Sequence, residues 1–375
     1  MPIPALLLRR IAACFLLIFP AAAPAAVQTA APPAWPLVEA ARLTYEGEIN
    51  RRAVADGPRI YFTTRRGLIY AVNTERRTIV WRFGAEGPIY RPPAAAGDLI
   101  AAVDEGRMVY CLNADGALNW SYRADGPAAA DPLWMGSRLI VALRSGPIVA
   151  LNAAHPGELW RAEFEKDLVI STAIWNGRIL CAGRDGWVRI LDAEGRPAGA
   201  WDFGGPLAGP LTVEKDRVYA GRQDGVLCAL DPRDGSIIWR MRIGGEPAAS
   251  AFIDGRHLYL SSGNGVLFAM SKNGGDILWW RPLPSRLVFR PLLWQNRVVA
   301  VAASKIISSF QTRTGQPAGE YQGTADWKAD PQEMNGQLLL HTYDPDTREG
   351  ALIFLDPPNT APAKNVAPIK GAKSP

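Results

Sequence analysis

The chain reads Ala-Leu-Asp-Pro-Arg-Asp-Gly-Ser-Ile-Ile-Trp from Ala229 to Trp239, and this pattern recurs along most of its length. Related stretches begin at Ala71, Cys111, Ala150, Ile190 and Ala269 and end at Trp81, Trp120, Trp160, Trp201 and Trp279, respectively. A pattern that returns about every 40 residues, with a glycine turn and an aromatic residue in register, is typical of a repeat architecture.

Each repeat also carries a hairpin signal upstream of this pattern. Asn176-Gly177, Asp254-Gly255 and Asn335-Gly336 each precede an apolar run, and Asx-Gly pairs accept the positive φ that tight hairpins need. One repeat therefore predicts four antiparallel strands, which we name A to D. Strand B follows the Asx-Gly turn, strand C carries Ala-Leu-Asp, and strand D begins near the tryptophan. We expect the tryptophans to be structural: Trp81, Trp120, Trp160, Trp201, Trp239 and Trp279.

The number of repeats follows from the strands of type C. Each is marked by the Asp/Asn-type position of the pattern, at Asn73, Asn113, Asn152, Asp192, Asp231, Ser271, Gln311 and, more loosely, Asp356. The last one is followed by Pro357 and Pro358, which block strand pairing. The segment from Leu43 to Glu48 is available to supply the missing outer strand. We therefore predict an all-β, eight-bladed β-propeller of four-stranded antiparallel blades over residues 41–358, closed by pairing of its N-terminal and C-terminal strands.

The N-terminal residues 1–25 read as a signal peptide. Arg9-Arg10 precede an apolar run from Ile11 to Phe19, and Ala23-Pro24-Ala25 form a small-residue cleavage signature. We expect cleavage near Ala26, with retention as an uncleaved anchor or lipidation of Cys14 as alternatives. Residues 26–40, rich in Ala and Pro, are predicted to be a spacer, and residues 359–375 a disordered tail.

Charge and cysteine content exclude some function classes. The formal net charge of +5 is spread among acidic residues without a Lys/Arg cluster, so nucleic-acid binding is not expected. Cys111, Cys181 and Cys228 lie in predicted strands of different repeats and show no metal-ligand spacing. We expect them to be buried free thiols.

The repeat resembles that of quinoprotein-like (PQQ-type) propellers over about residues 43 to 356. Within that family, the quinone-dependent dehydrogenases would require a vicinal Cys-Cys pair, calcium-binding carboxylates and a catalytic Asp, and this chain has no Cys-Cys pair and nearly minimal repeats. Its dimensions are most similar to the group of the outer-membrane protein assembly factor BamB. That resemblance implies a scaffold of the β-barrel assembly machinery that does no chemistry.

Catalytic arrangements are scarce in the sequence. His155, His257 and His341 pair with no Cys, Asp or Glu at a metal spacing, and we expect them at the surface or in turns. No nucleophile elbow, phosphate-binding loop or zinc-protease motif is present. The sequence thus predicts no catalytic, cofactor or metal site and no bound cofactor.

One column of arginines is a candidate binding surface. Arginine follows the predicted A–B turn in most repeats, at Arg59, Arg138, Arg178, Arg217, Arg256 and Arg297. These side chains either cover neighbouring aromatic rings with their aliphatic stems or form a basic rim for an acidic partner. The loops Glu165 to Leu168 and Pro284 to Leu287 are further candidates.

These observations favour an exported, non-catalytic, monomeric propeller. We expect it in the periplasm, associated with the outer membrane through a partner or lipidation, and binding an envelope protein, with the β-barrel assembly machinery as the resemblance implies. The alternatives are a small PQQ-dependent dehydrogenase and a periplasmic ligand-binding propeller.

Overall fold

The protein is described by a computed structural model over residues 35–165, 169–247, 251–283, 285–286, 289–302 and 304–357. Within these ranges the regular secondary structure is entirely β-strand, and the strands form eight four-stranded antiparallel sheets. The signal peptide, most of the spacer and the tail expected from the sequence lie outside the described residues. No helix in the described part is long and apolar enough to cross a membrane.

Blades 1 to 4 follow the chain in simple order, each with strands A to D from the centre outwards. Blade 1 comprises β2 (Val54–Asp56), β3 (Arg59–Thr63), β4 (Leu68–Asn73) and β5 (Thr78–Gly84). Blade 2 comprises β6 (Ala94–Ala96), β7 (Leu99–Val103), β8 (Met108–Asn113) and β9 (Leu118–Arg123). Blade 3 comprises β10 (Leu133–Met135), β11 (Arg138–Ala142), β12 (Ile148–Asn152) and β13 (Glu158–Ala162). Blade 4 comprises β14 (Val169–Trp175), β15 (Arg178–Gly183), β16 (Trp187–Leu191) and β17 (Pro197–Asp202).

Blades 5 to 7 repeat this order, and blade 8 is composite. Blade 5 comprises β18 (Thr212–Val213), β19 (Val218–Gly221), β20 (Val226–Leu230) and β21 (Ile237–Arg242). Blade 6 comprises β22 (Phe252–Asp254), β23 (His257–Ser262), β24 (Val266–Ser271) and β25 (Ile277–Pro282). Blade 7 comprises β26 (Leu292–Trp294), β27 (Arg297–Val301), β28 (Ile306–Gln311) and β29 (Pro317–Gln322). Blade 8 comprises β30 (Gln332–Met334), β31 (Gln337–Asp344), β32 (Glu349–Asp356) and, as its outer strand, β1 (Val38–Glu46).

The predicted closure of the ring is confirmed. Strand β1 pairs antiparallel with β32, with Leu43 opposite Leu352. The pairing starts at Val38, and Trp35 and Leu37 are buried, so the ring includes residues on the N-terminal side of the boundary expected at residue 41. Blades 8 and 1 are further joined because the Gln332 side-chain amide donates to the Ala53 carbonyl at 2.9 Å.

Tryptophans of strand D connect five of the eight blades to the next; strand β1, the outer strand of blade 8, contains none. The indole Nε1 donates to a backbone carbonyl oxygen in the C–D turn of the following blade at 2.8 to 2.9 Å. The pairs are Trp81 to Ala114, Trp120 to Ala153, Trp160 to Ala193, Trp239 to Lys272 and Trp279 to Thr312. In four of these turns a glycine lies against the ring: Gly116, Gly195, Gly275 and Gly315. The donated hydrogen bond and the buried ring together stabilise each of these blade interfaces.

Blades 4 and 7 depart from this arrangement. Glycine occupies the register position of the tryptophan, with Gly199 opposite Ile190 and Gly319 opposite Ser309. Trp201 lies two residues beyond that register, packs against Gly235, and its Nε1 has no hydrogen-bond partner among the described residues. The sequence alone placed Trp201 in the column because its spacing differs by only a single residue.

Blade 7 receives a tryptophan from the N-terminal segment. The backbone N–H of Trp35 donates to the Glu320 carbonyl at 2.7 Å. Its ring lies 5.4 Å from that of Trp294, and the Arg297 guanidinium stacks over it at 5.5 Å. Trp35 thus supplies to the interface of blades 7 and 8 the indole that strand β29 lacks, and it joins the cluster against which Tyr321 of that strand packs.

The histidine expectation is wrong for His341, whereas the cysteine expectation is confirmed. His341 is fully buried between blades 8 and 1, where its Nδ1 lies 3.0 Å from the Tyr45 hydroxyl and its ring packs edge-on against Phe62. Burial lowers the pKa of His341 to about 3. Cys111, Cys181 and Cys228 are buried free thiols, and burial raises the pKa of each.

Substituting a turn glycine tests the blade interface. Gly275→Ala places a Cβ about 2.5 Å from the Trp239 ring at a φ of +75°, so we expect unfolding free energy to fall by about 1–3 kcal/mol from overpacking, beyond the backbone strain. Gly255→Ala in the same blade is the matched control, because its φ is +52° but nothing lies within 4 Å. Urea unfolding of both variants measures the difference; equal losses would show that the ring contact contributes nothing.

Acidification tests the buried histidine. The unfolded chain binds a proton at His341 near pH 6.5, but the folded chain does not until about pH 3, so this contribution is full above pH 6.5 and is lost as pH falls. Between pH 7 and pH 4 we expect wild type to lose about 3 kcal/mol more unfolding free energy than His341→Phe. Urea unfolding at both pH values measures this, with exposed His155→Gln as control. Parallel losses in all three proteins would contradict it.

Candidate functional site

The two faces of the ring carry different sets of turns. Because the strands of each blade alternate in direction, the A–B and C–D turns lie on one face, and the B–C turns and D–A connections lie on the other. The predicted arginine column follows the A–B turns and therefore belongs to the first face, which we call the AB rim.

Several side chains of the arginine column reach neighbouring elements of the ring. Arg217 donates to the Lys272 carbonyl of the next blade at 2.8 Å, and Arg59 donates equivalently to the Ala114 carbonyl. These are the same carbonyl oxygens that accept from Trp239 and Trp81. Each such arginine therefore reinforces a tryptophan contact between blades.

The remaining members of the column differ in their surroundings. Arg297 donates to the Ala318 carbonyl at 2.9 Å, and Arg138 lies 3.5 Å from a carboxylate oxygen of Glu194. Arg178 stacks over Trp175 at 6.0 Å and is exposed, as is Arg256. The AB rim thus combines side chains engaged within the ring with two exposed arginines, and its role as a partner-binding surface stays a prediction.

A second cluster of charged residues lies on the ring axis at the opposite face. A cavity of about 350 Å³ is lined by residues of blades 1, 2, 3, 4, 5 and 8, which can meet only at the centre. Four arginines and two aspartates line it: Arg51, Arg52, Arg91, Arg184, Asp131 and Asp330. We call this set the channel mouth.

Asp131 is shared by two arginines of the channel mouth. Arg52 of blade 1 reaches across to its Oδ2 at 3.1 Å, and Arg91 of blade 2 lies 3.8 Å from its Oδ1. Arg91 also donates to the Ala129 carbonyl. Burial lowers the pKa of Arg91, with Asp131 opposing that effect and Arg144 and Arg51 adding to it.

Asp330 holds the junction of blades 7, 8 and 1. Its Oδ1 accepts from the Arg290 backbone N–H at 2.9 Å, and its own N–H donates to the Arg51 carbonyl at 2.8 Å. Burial raises the pKa of Asp330, while its backbone hydrogen bond and Arg52, Arg51 and Arg290 act in the opposite direction. The Arg290 guanidinium stacks over Phe252 at 5.3 Å.

Sequence reasoning missed the channel mouth because its residues are not repeated. Five of the eight repeats carry a charged residue two or three positions before strand A: Arg51, Arg91, Asp131, Arg290 and Asp330. These charges lie at a regular spacing, but the residue type at this position changes from repeat to repeat, so it does not stand out as part of the recurring pattern.

A third candidate is an open groove between the outer parts of blades 3 and 4. It encloses about 790 Å³ and is lined by the end of β13 and the residues after it, by β16 and by β17. Strand β17 begins Pro-Ala-Gly-Ala, and all four residues are exposed. The groove borders the loop from Glu165 to Leu168, of which only Glu165 is described; of the loop from Pro284 to Leu287, only Ser285 and Arg286 are described.

No metal-binding cluster of His, Cys, Asp or Glu forms among the residues that the structure describes. The three histidines lie in blades 3, 6 and 8.

Comparison with known proteins places the ring in a family. A family model described as outer membrane protein assembly factor BamB matches residues 34–167, 128–250 and 223–339. The chain belongs to the BamB family. The matches overlap and together cover most of the propeller, in agreement with the resemblance noted in the repeat.

The chain also matches an individual member of the BamB family, at low sequence identity. The outer membrane protein assembly factor BamB of Yersinia pestis is 26% identical over 192 residues, which are 51% of this chain and 43% of that protein. The match therefore spans less than half the length of the relative.

Solved structures share the architecture. BamB from Moraxella catarrhalis superposes with a TM-score of 0.70 at 17% identity, covering 85% of this chain and 99% of that chain. The quinohemoprotein alcohol dehydrogenase from Comamonas testosteroni superposes with a TM-score of 0.69 at 12% identity, covering 90% and 79%. At these identities the likeness shows the fold alone, and it is shared by an assembly factor and an oxidoreductase.

The AB rim contains arginines that are hydrogen-bonded within the ring and arginines that are exposed, so their contributions to stability can be compared directly. We expect Arg217→Gln to lower unfolding free energy by about 1–2 kcal/mol, because it removes a charged donor from the Lys272 carbonyl. Arg256→Gln makes the same charge change at an exposed side chain and should have almost no effect. Urea unfolding decides between them, and equal stability of both variants would contradict a role for Arg217 between blades.

Proposed function

We propose that this chain is an exported, non-catalytic propeller that acts in outer-membrane protein assembly by binding an envelope protein. The observation that carries the proposal is the family match, which extends over the ring from residue 34 to residue 339. The relative from Yersinia pestis bears the same description of assembly factor, and the solved structure from Moraxella catarrhalis bears the name BamB.

The form of the blades supports a scaffold. Strands B and C of each blade are buried almost throughout, and the connections between strands are short. Such a ring is rigid, and its surface consists of turns and outer strands, which are the parts that a protein partner can reach. Periplasmic location, a monomeric ring and the choice between a cleaved signal and lipidated Cys14 belong to the same proposal.

We place the partner-binding surface at the groove between blades 3 and 4. The groove combines apolar side chains, Phe164 and Ile190, with charges of both signs, Arg161, Arg189 and Glu163. Apolar surface bordered by charge is the usual composition of a transient protein interface. The small residues of β17 leave the space open: Ala200 stands opposite Arg189, where blade 6 has Trp280 opposite Phe268.

Filling the groove tests its role. Ala200→Arg puts a long side chain into the groove, so we expect recovery of β-barrel assembly components from envelope extract to fall by about tenfold. Ser121→Arg is the matched control, because Ser121 holds the equivalent register position in blade 2, opposite Tyr110. Tagged full-length proteins and quantitative mass spectrometry provide the readout.

The outcomes separate the function from the surface. Reduced recovery of assembly components with Ala200→Arg, but not with Ser121→Arg, supports both the proposed function and the groove as its binding surface. Equal recovery of assembly components by wild type, Ala200→Arg and Ser121→Arg would show that the groove is not the binding surface, whereas the proposed function would still stand. Recovery of no assembly component by wild type, or saturable quinone binding with turnover in a dye-linked oxidation assay, would overturn the proposed function.

A further inference from the structure

We infer that the channel mouth is a binding site for an oxyanion, a carboxylate or phosphate group, held by Arg51, Arg52 and Arg91. The site lies on the ring axis, whereas the groove proposed for the protein partner lies on the outside of blades 3 and 4. The inference is therefore independent of the proposed function.

The first argument is an imbalance of charge inside a cavity. Arg51, Arg52 and Arg91 face Asp131 and Asp330, so these five residues carry one more positive than negative charge. Both aspartates are already engaged, Asp131 by two arginines and Asp330 by a backbone N–H. Nearby, Arg144 is neutralised by a bidentate pair with Glu105 at 3.0 Å, which shows how a balanced arginine is held in this same region.

The second argument is a set of donors without acceptors. The Nε of Arg52 is buried and has no hydrogen-bond partner among the described residues. Arg51 is exposed at the edge of the cavity, and its guanidinium is not among the ion-paired arginines of the described part of the chain. A buried donor without a partner costs about 1–3 kcal/mol, and an oxyanion at this position would satisfy it.

The third argument is the backbone conformation of Arg51. Its φ is +47°, a left-handed conformation that is unfavourable for a long side chain and that glycine adopts freely. The hydrogen bond from the Asp330 N–H to the Arg51 carbonyl holds this conformation. Non-glycine residues held in this conformation are found often at ligand-binding sites.

The dimensions and the electrostatics fit a small anionic group. A cavity of about 350 Å³ lies at the lower end of the range for ligand sites. Arginine binds planar or tetrahedral oxyanions in bidentate fashion, and partial burial strengthens such pairs relative to those in water. The oxyanion comes either from a free small molecule or from an acidic side chain of a bound polypeptide.

Calorimetric titration of the full-length protein tests the site. Citrate and inorganic phosphate probe a free anion; a hexaglutamate peptide, with hexaglutamine as its neutral counterpart, probes an acidic side chain. We expect saturable binding that weakens with added salt. Arg51→Gln should weaken it by about tenfold, the loss of a charged hydrogen bond. Arg240→Gln, the same charge change on exposed β21, should leave it unchanged.

Two further variants keep the test decisive. Arg51→Gly removes the guanidinium and relieves the strained φ, so we expect weaker binding together with a raised thermal midpoint. Asp131→Asn removes the carboxylate that competes for Arg52 and Arg91 and should tighten binding. The inference is overturned if wild type binds none of the anionic probes, or if Arg51→Gln and Arg240→Gln weaken binding equally.

Discussion

The hydrogen bond from a tryptophan indole to a carbonyl of the next blade is the contact that recurs most often in the ring, at five of its eight blade interfaces. It joins two sheets that share few backbone hydrogen bonds, and the turn glycine beneath the ring permits the close approach. A single four-stranded sheet leaves two apolar faces uncovered, so each blade is stable only between two neighbours. In blades 1 and 5, the carbonyl oxygen that accepts from the tryptophan also accepts from an arginine of the AB rim. One backbone oxygen thus binds both recurring side chains there.

This dependence explains how much of the fold the sequence could predict. Strand order, blade number and closure by β1 follow from residues that recur in register, because every blade must solve the same packing problem. Trp201 and His341 show the limit. A two-residue offset in β17 is invisible without the pairing partner of each residue, and the burial of His341 depends on Tyr45, nearly 300 residues away in sequence.

The candidate sites were harder to predict for the opposite reason. A functional residue in a repeat protein is one that its equivalents do not share, so pattern matching passes over it. The channel mouth illustrates this, because Arg51, Asp131 and Asp330 occupy one structural position with opposite charges. The outer groove is defined by the small size of Gly199 and Ala200, and small residues give little signal in a sequence. Family membership supports the proposed role in assembly, but it does not select between these surfaces.

The composite blade 8 also constrains when the ring can form. Its outer strand is synthesised first and its partner strand β32 last, so β1 has no place to pair until almost the whole chain has been made. Until then β1 and the open faces of blades 1 and 7 remain exposed to other chains. The ring therefore closes only in a chain that contains both β1 and β32. A polypeptide truncated before β32 would lack the pairing that closes it.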